Sequence, residues 1–409
     1  MSAGPTTRSY KIFLSAGEAS GEHYGTLLIP AIRRLVPDAE FFGLGGRRME
    51  ALGFRRIVRA EDVAVMGITE VIRHMPRIYA EYRRLKASIR AEKPDAAVLI
   101  DFPDVNLSLA KHLHRAGVPV IYFVSPQLWA WKKYRIREVQ RYVDRMLVIF
   151  PFEERFYRER KVQAEFVGHP LAELPLPTIS RETFARELGL NPSKSWIGLL
   201  PGSRAREIRL NLPEMLRTAQ LLARRAPQSP DSPGYEFLLP LAPTLTEAHR
   251  AEVSQMLAAA PAGTPKITIT SDARATLHHA RASIVASGTA TVEAALIGNP
   301  FIVVYKVSAV TYAVAQRVVD VPHVAMVNLI AGSRVVPELI QSDFTAEDAV
   351  SQLQPLLEDE SARARMQSSL RSISDMLKAG GDSLANETTA IDRVARVTSQ
   401  MLHQKQPGK

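Results

Sequence analysis

Cysteine is absent from the 409 residues of the chain. Disulfides, cysteine-ligated zinc and a cysteine nucleophile are therefore excluded. The sequence also lacks an apolar run of about 18 residues, the length that a helix needs to cross a bilayer. Near the amino end, the short apolar stretch YKIFLS leads directly into a glycine-rich loop instead of a secretory signal. The lack of a membrane span and of a secretory signal favours a cytoplasmic protein, whereas the absence of cysteine says little about compartment.

Two nucleotide-binding motifs and the common nucleic-acid motifs are missing as well. No G-x-x-x-x-G-K-S/T occurs, so the chain is not a P-loop ATPase. Gly17, Gly21 and Gly25 do not fit G-x-G-x-x-G, which disfavours a nicotinamide enzyme. Neither an aromatic RNA-binding signature nor a helix-turn-helix is evident. We expect no cofactor.

Positive charge is in excess, with 52 lysines and arginines against 42 aspartates and glutamates and a net charge of +10. Such an excess attracts anionic partners, whether nucleic acid, a phospholipid surface or a phosphorylated substrate, although it can also serve solubility alone. Two helix-like segments, 74–90 and 131–145, are dense in arginine and lysine. A localised excess of this kind favours a surface that meets an anionic partner.

Short apolar runs alternate with helical patterns along the whole chain. Continuous apolar strands separated by helices of about ten or more residues form parallel sheets covered on both faces. We predict strands at residues 11–15, 40–43, 96–100, 118–124, 146–149 and 164–167, and then at 196–200, 235–239, 266–269, 282–286 and 301–305. Two such series predict an α/β protein with two doubly wound, Rossmann-like parallel-sheet domains facing a central cleft.

A proline-rich segment, GHPLAELPLPTISRETF, separates the two series and has the composition of a linker. We therefore expect one domain over residues 1–172 and a second over 173–357. The helical stretch over 358–409 is long enough to pack back across the seam. In open α/β sheets ligands bind beyond the carboxyl ends of the strands, so the loops at those ends are the candidate sites.

The loop after strand 196–200 reads PGSRAREI and predicts an anion site. Glycine lets backbone amides approach a ligand, and the following helix offers its positive amino-terminal end. Gly202, Ser203 and Arg204 therefore predict a phosphate or diphosphate site, in which the guanidinium is a planar fork for the oxygens. The alternative is a turn followed by a solvated basic helix.

The loop after strand 282–286 reads SGTATVEAAL. Ser287, Gly288 and Thr289 predict a turn, and we place Glu293 in the first turn of the next helix. A carboxylate there can accept both hydroxyls of a ribose, as acidic residues do in nucleotide-binding folds. Stabilisation by the helix dipole is the alternative role for Glu293.

The loop after the first strand reads SAGEASGEHYG. It predicts a floor for a second substrate, to which Glu18, Glu22 and His23 supply polar groups. The alternative is a plain strand-to-helix turn in which Ser20 caps the helix.

Two aspartates follow strand 96–100, in the stretch DFPDVN. Asp101 and Asp104 lie at the carboxyl edge of the predicted sheet, where a general base belongs, and we predict Asp101 as the base with Asn106 orienting it. Capping of the next helix explains one carboxylate well but two less well. No third ligand is near in sequence, so we expect no metal.

Two further segments are candidates for contact with lipid. FVSPQLWAWKKYR places Trp129 and Trp131 beside a basic helix, which suits a headgroup interface, a sugar face or stacked nucleic acid, while core packing is the alternative. VAVMGITEVIRHMPRIY is amphipathic and can lie in a membrane interface through Val65, Met66 and Ile68. A buried helix is the alternative for this second segment.

Together these motifs resemble the lipid-A-disaccharide synthase family, membrane-peripheral glycosyltransferases of the GT-B fold class. The resemblance covers nearly the whole chain and is carried, in order, by SAGEASGE, AVMGITEV, IDFPDVN, VSPQLWAWKKYR, FVGHPL, LLPGSRAREI, SGTATVEAAL and VNLIAGSRVVPELIQ. Each motif alone is weak, but eight in order are specific. The sequence departs from the family pattern at Glu22, where aspartate is expected, and at Met326 and Val327, where Leu-Pro is commoner.

The resemblance implies an inverting transfer of a 2,3-diacylglucosamine unit from its UDP ester onto 2,3-diacylglucosamine 1-phosphate. The product would be the β-1,6-linked lipid A disaccharide 1-phosphate, a precursor of lipopolysaccharide, with release of UDP. Residues 1–172 would face the acceptor and the membrane, and residues 173–357 would bind the UDP-sugar. Peripheral association with an anionic inner membrane is implied, and no nucleic acid partner is.

The resemblance also implies roles for individual residues. Arg204 would hold the diphosphate, Glu293 the ribose, and Asp101 would be the candidate base beside Asp104. The remaining residues on the donor side would be Gly202, Ser203, Ser287, Gly288, Thr289, Asn328, Glu338 and Gln341. The residues on the acceptor side would be Gly17, Glu18, Ser20, Gly21 and Trp129.

Rival interpretations share parts of this pattern. A UDP-N-acetylglucosamine epimerase or a polyprenyl-linked N-acetylglucosamine transferase would bind its UDP-sugar through the same kinds of motif. An epimerase of a soluble sugar has no need of the apolar and basic segment 63–79, however. A basic nucleic-acid-binding protein would use the segment 131–145.

Overall fold

The computed structural model describes residues 9–63, 68–225, 234–319, 321–378 and 389–404. The chain divides into two compact units, each with its own parallel sheet. The first unit comprises Met1–Glu173 together with Leu377–Lys409, and the second comprises Leu174–Met376. No helix within the described ranges combines the length and the apolarity that crossing a membrane requires.

The first unit alternates strands and helices from its amino end. Its elements are β1 (Lys11–Ala16), α1 (Ala19–Leu35), β2 (Glu40–Gly45), α2 (Arg47–Glu50), β3 (Phe54–Arg59), α3 (Ala60–Val63), α4 (Ile68–Glu92), β4 (Ala96–Ile100), α5 (Pro103–Arg115), β5 (Val120–Phe123), α6 (Ile136–Tyr142), β6 (Arg145–Val148), α7 (Pro151–Arg158) and β7 (Ala164–Phe166). All seven strands run parallel, in the order β3-β2-β1-β4-β5-β6-β7.

The second unit repeats this alternation. Its elements are α8 (Arg181–Leu188), β8 (Ser195–Leu200), α9 (Ala205–Arg225), β9 (Tyr235–Pro240), α10 (Glu247–Ala258), β10 (Ile267–Thr270), α11 (Ala273–His279), β11 (Ala282–Ala286), α12 (Thr289–Ile297), β12 (Phe301–Tyr305), α13 (Ala309–Val318), α14 (Met326–Ala331), β13 (Glu338–Ile340), α15 (Ala346–Glu358) and α16 (Glu360–Leu377). The six parallel strands follow the order β10-β9-β8-β11-β12-β13.

The chain then returns to the first unit, where the last helix, α17 (Ala390–Gln404), packs against α1. Asp392 of α17 forms an ion pair with Arg34 at the end of α1. Glu173 accepts a hydrogen bond from the first amide of α17, that of Ala390. The final helix is therefore part of the first unit, although it follows the second one in sequence.

The predicted fold class, an α/β protein with two doubly wound parallel sheets, is confirmed. Every predicted strand is present, and two of the strands among the described residues were not predicted. β3, FRRIVR, carries three arginines at a sheet edge, where charged side chains reach solvent and hide the apolar signal. β13 is only three residues long, too short to give a pattern.

The core of each unit lies between its sheet and the covering helices. All five residues of β4 are buried, as a strand covered on both faces requires. Trp196 at the start of β8 is fully buried beneath the Arg181 guanidinium, 3.7 Å from the ring centroid, and donates its indole N–H to the Asn191 carbonyl at 3.0 Å. This tryptophan anchors the strand that leads to the predicted phosphate loop.

In both sheets the order of the strands reverses at one central pair. In the first unit β1 and β4 are neighbours although they are not consecutive, and in the second β8 and β11 are. The crevice beyond the carboxyl ends of such a pair is where doubly wound sheets bind ligands. The four loops that follow these four strands are among the candidate segments that sequence analysis selected.

Candidate active site

The loop at the end of β8 brings two amides and a guanidinium together. Gly202 has φ of 120°, and a Cβ at this position would collide with Glu207, so only glycine fits. The Ser203 and Arg204 amides donate to Oε2 of Glu207 at 3.1 and 3.3 Å, and the guanidinium lies 3.5 Å from Oε1. The two amides and the guanidinium of this loop therefore all contact a carboxylate of the helix that follows it.

The Arg204 side chain itself is largely exposed, at 68 %. Exposure leaves it able to turn toward an incoming phosphate, which would replace the single Glu207 carboxylate by more strongly accepting oxygens. Sequence analysis assigned Arg204 and missed Glu207. The sequence did contain a signal for Glu207, because a glutamate at the third position of a helix commonly accepts a hydrogen bond from the amide of the residue before the helix.

A buried asparagine on α9 ties the loop after β8 to the end of β12, two strands away in the sheet. Asn211 donates to the Pro201 carbonyl at 3.0 Å and accepts from the Lys306 amide, just after β12, at 3.1 Å. Its side chain is fully buried. Asn211 therefore sets the distance between two loops at the same sheet edge, a role that no local sequence pattern announces.

The loop at the end of β11 lies beside the loop after β8 because β8 and β11 are paired strands. Gly288, with φ of 147°, forms the turn before α12, and its carbonyl accepts from the Thr291 hydroxyl at 2.7 Å. The Ser287 hydroxyl donates to the Val324 carbonyl at 3.3 Å. Ser287 and Gly288 thus form the predicted turn at the predicted strand end, and Thr289 is the first residue of α12.

Glu293 lies in the second turn of α12, and its predicted place in the first turn was wrong. The helix dipole acts mainly within the first turn, so it does not explain this carboxylate. Burial raises the pKa of Glu293, and the charge of Arg274 opposes that rise. Within the described ranges the carboxylate has neither a hydrogen bond nor an ion pair, which leaves its oxygens available to accept hydroxyls.

The side chains of Asn328 and Glu338 were predicted to line the donor side. Both are hydrogen-bonded to other groups of the protein. The Asn328 amide donates to the Val336 carbonyl at 2.9 Å and to Glu338 at 2.7 Å, and its oxygen accepts two backbone amides. Glu338 in turn accepts from the amides of Val324 and Ala325 at the start of α14. All four hydrogen-bonding positions of Asn328 are used, so it holds the segment before α14 in place.

Gln341 is likewise engaged with the backbone. Its side-chain amide accepts from the Val307 amide at 3.3 Å and donates to the Val307 carbonyl at 3.1 Å, while its own φ is 55°. This pair of hydrogen bonds joins the end of β13 to the segment between β12 and α13. Gln341 therefore positions the start of α13.

In the first unit, the loop after β1 is a close-packed turn. A Cβ on Gly17 would collide with the Phe102 ring, and Gly21 packs on Ala16. Glu18 is the residue before α1, and Ser20 lies inside the first turn, so the alternative of a Ser20 cap is wrong. The close approach of Gly17 to Phe102 joins this loop to the one after β4.

Asp101 begins the loop after β4 in a strained conformation. Asp101 and Phe102 both have positive φ, 49° and 50°, which is uncommon for residues other than glycine. The Asp101 carbonyl accepts from the Asn106 side chain and from the Tyr122 hydroxyl, each at 2.7 Å. Asn106 is fully buried and also accepts from the Ser15 hydroxyl at 2.6 Å. Strain that is held by a buried network marks this turn as a candidate site.

Asp104 is 74 % exposed and paired with basic residues from the loop after β5. Its carboxylate lies 2.6 Å from the Arg135 guanidinium and 3.5 Å from the Lys132 ammonium. Phe102, and neither aspartate, occupies the position before α5, so the alternative in which an aspartate caps this helix is wrong. Asp104 instead links the two loops.

Trp129 is held by a buried glutamate that sequence analysis missed. Glu153 in the first turn of α7 accepts from the Trp129 indole at 3.1 Å and from the Ser125 hydroxyl at 2.7 Å through one oxygen. Its other oxygen accepts from the Phe150 amide at 3.2 Å. Burial raises the pKa of Glu153 to about 7. Trp131 by contrast is exposed, with the Lys132 ammonium 4.2 Å from its ring centroid.

The structure does not describe the side chains of the three predicted membrane contacts. Val65 and Met66 lie outside the described residues, and Ile68 is the first residue of α4, with its side chain also outside the description. Among the described residues, no group of three histidine, aspartate or glutamate side chains could hold a metal ion.

Comparison with solved structures places the fold in a class. A calicheamicin glycosyltransferase, CalG4, matches with a TM-score of 0.57 at 15 % identity, over 98 % of this chain and 100 % of that one. A UDP-GlcNAc 2-epimerase from Neisseria meningitidis, bound to UDP-GlcNAc, matches with a TM-score of 0.54 at 11 % identity, over 97 % and 99 %. The architecture is that of the GT-B glycosyltransferases and the epimerases that share their fold.

Sequence comparison is more specific than the fold. The family model described as lipid-A-disaccharide synthetase matches residues 12–390. A lipid-A-disaccharide synthase from Acidobacterium capsulatum is 64 % identical over 402 residues, which are 96 % of this chain and 97 % of that protein. The chain belongs to the lipid-A-disaccharide synthase family. The predictions of family and of enzyme class are thereby confirmed.

Proposed function

We propose that the chain transfers 2,3-diacylglucosamine from its UDP ester to the 6-hydroxyl of 2,3-diacylglucosamine 1-phosphate. The products are the β-1,6-linked disaccharide 1-phosphate of lipid A biosynthesis and UDP. The observation that carries the donor half is the pair of loops at the reversal of the second sheet. There, two amides and a guanidinium converge on the Glu207 carboxylate, and a half-buried carboxylate, that of Glu293 in α12, has no hydrogen-bond partner among the described residues.

The reaction is a single displacement at the anomeric carbon. A base takes the proton of the acceptor 6-hydroxyl, its oxygen forms the bond to C1, and the bond from C1 to the diphosphate breaks with the electron pair leaving on UDP. We assign Arg204 and the amides of Ser203 and Arg204 to the departing diphosphate, because positive groups at that end lower the barrier to its departure. Glu293 is assigned to the ribose hydroxyls.

The base is assigned to Asp101 in the first unit. Support comes from the strained turn at Asp101 and Phe102. Hydrogen bonds from the Asn106 amide and the Tyr122 hydroxyl to the Asp101 carbonyl hold this turn in place. Rigid backing of this kind keeps a carboxylate within the distance that proton transfer needs. Asp104, paired with Arg135, is assigned to steadying this loop and not to proton transfer.

The loops after β1 and β5 are assigned to the acceptor. Gly17 and Gly21 pack closely, and Trp129 presents a partly buried aromatic ring fixed by Glu153. An aromatic ring with a polar edge suits the face of a sugar. Asn328, Glu338 and Gln341 are assigned to the donor side indirectly, through the backbone segments that they hold.

Peripheral association with the cytoplasmic face of the inner membrane is also proposed. Support comes from the exposed Trp131 with its neighbour Lys132 and from the basic segment 131–145, since each basic residue near an anionic surface is worth about 1 kcal/mol. Val65, Met66 and Ile68 are the proposed apolar contacts. The variant with serine at all three positions should be retained less on anionic liposomes while keeping its thermal stability.

A product assay by mass spectrometry tests the reaction. Incubation of the protein with the UDP-diacylglucosamine donor and the monophosphate acceptor should yield the disaccharide 1-phosphate and one UDP for each product. UDP-N-acetylglucosamine alone is the matched control, and it should remain unchanged. Epimerisation of that sugar, or an absence of disaccharide with both lipid substrates present, would overturn the proposal.

A further inference from the structure

The helix α13 exposes an apolar surface that a helix of its composition normally buries. Its sequence, AVTYAVAQRV, has Arg317 as its single charged residue, yet none of its described side chains is buried. Val314 and Val318, one helical turn apart on the same face, are 55 % and 50 % exposed. Val319, just beyond the helix, is exposed as well. Exposed apolar residues grouped on one helix, unlike ones scattered singly, make a candidate binding surface.

Arg317 does not interrupt this surface. Its guanidinium donates to the Ala313 carbonyl of its own helix at 2.8 Å, so its charge lies along the backbone. Val314 and Val318 therefore form a continuous stripe along α13, which we call the valine face. A helix of 10 residues is about 15 Å long, so the face is large enough for an extended chain of methylene groups.

The start of α13 is tied to the loop proposed to bind the diphosphate. Ser308, the residue before α13, accepts a hydrogen bond from the Arg206 guanidinium at 3.0 Å, and Arg206 lies two residues after Arg204. On the other side, Gln341 holds the Val307 backbone through both atoms of its amide. These contacts hold the start of α13 beside the loop proposed to bind the diphosphate, and Val314 lies six residues after Ser308, or about 9 Å further along the chain.

We propose that the valine face binds the acyl chains of the nucleotide-linked donor. This inference rests on the proposed function, because it takes the donor to be a diacylated sugar on a diphosphate. In such a donor the acyl chains lie a few bonds from the diphosphate, so anchoring the diphosphate at Gly202, Ser203 and Arg204 delivers the chains to the start of α13. The valine face then favours acylated over unacylated donors, and donor affinity depends on the length of the acyl chains.

The test compares donors of long and short acyl chains on one double variant, V314S with V318S. In one detergent and at saturating acceptor, the variant should raise the KM for the long-chain donor about tenfold or more. The rise should shrink as the chains shorten, because each methylene removed from the contact is worth roughly fourfold, or about 0.8 kcal/mol. UDP should bind the variant as it binds the wild type.

Ile269→Ser is the matched control, since Ile269 in β10 is an exposed apolar residue of the same unit, at 38 %. It should leave the KM of every donor unchanged. An equal rise in KM for short and long chains would overturn the inference. Two other results would overturn it as well: loss of liposome retention without any dependence on chain length, which indicates a bilayer contact, and a change of oligomeric state, which indicates a second copy.

Failure of the inference is distinguishable from failure of the proposed function. If the wild-type protein does not turn over the diacylated donor at all, the proposed function falls and the inference falls with it. If the wild type is active and the double variant keeps the same KM at every chain length, only the valine face is refuted.

Discussion

Replacing Glu153 by glutamine should change how the stability of the first unit depends on pH. This carboxylate is 2 % exposed and accepts from the Ser125 hydroxyl, the Trp129 indole and the Phe150 amide. Three donors do not offset the loss of solvation, and burial raises the pKa to about 7 from an ordinary value of 4.5. In the unfolded chain the same group ionises near its ordinary value.

The direction in which stability changes with pH follows from which state, folded or unfolded, holds the proton of Glu153. Between about pH 4.5 and 7 the folded protein keeps the proton of Glu153 and the unfolded chain releases it, so stability falls as the pH rises through this window. The separation of about 2.5 pH units, at about 1.36 kcal/mol each, amounts to about 3 kcal/mol in all. Between about pH 5 and 8.5 the expected loss is about 2.5 kcal/mol.

Differential scanning calorimetry at several pH values measures this effect. For a unit of this size about 1 kcal/mol corresponds to roughly 2–4 °C, so Glu153 should contribute a fall of about 5–10 °C in Tm between about pH 5 and 8.5. Glu153→Gln cannot ionise and should lack this part of the fall. In the variant the glutamine NH2 group faces the Phe150 N–H, so two donors meet and neither has an acceptor. At low pH the variant should therefore be about 1–3 kcal/mol less stable than the wild type.

Glu159→Gln is the control, because Glu159 is an exposed residue of the same region, paired with Arg155 at the surface. It should reproduce the wild-type dependence on pH. The reasoning is refuted if Glu153→Gln and the wild type lose the same number of degrees over this range. That outcome would mean that Glu153 ionises in the folded protein as easily as in the unfolded chain.

The remaining predictions concern the candidate active site. Arg204→Ala should weaken UDP binding roughly ten- to hundredfold by calorimetry, as the loss of a charge-assisted contact does, with the fold intact. Asp101→Asn should lower the turnover rate about 10²–10⁴-fold with UDP affinity unchanged, whereas Asp104→Asn should cost much less; the reverse result would exchange their roles. Asn328→Ala should lower Tm by several degrees and weaken UDP binding together, because it leaves buried amides and carbonyls unpaired.

The positions of the loops could be predicted from the sequence because they depend on a strong local signal. Apolar runs such as those of β4 and β8 show where strands end, and in a parallel sheet all the carboxyl ends meet at one edge. The glycine at 202 and the arginine at 204 then stand out by residue type. The order of the strands, and with it the pairing of β8 with β11, follows from the doubly wound topology.

The contacts that give each residue its role could not be predicted, because most of them join distant parts of the chain. Asn106 meets Ser15 across 91 residues, and Asn211 meets Lys306 across 95. Neither pair leaves a local pattern. The positive φ at Asp101 and Phe102 is equally hidden, since aspartate adopts it only in a minority of cases and phenylalanine rarely does. A buried network is visible only once the strands have brought its members together.

Asn328 and Glu338 show what a family motif does and does not establish. The motif VNLIAGSRVVPELIQ marks both residues, and its natural interpretation is contact with the donor. In the structure each Asn328 hydrogen-bonding position is filled by the protein, and Glu338 binds the amides at the start of α14. A direct contact with a ligand would have to break one of these buried hydrogen bonds, at a cost of about 1–3 kcal/mol. The motif therefore includes residues that hold the local backbone. Arg204, which is exposed, and Glu293, which has no hydrogen bond among the described residues, keep side-chain atoms for the proposed contacts with the donor.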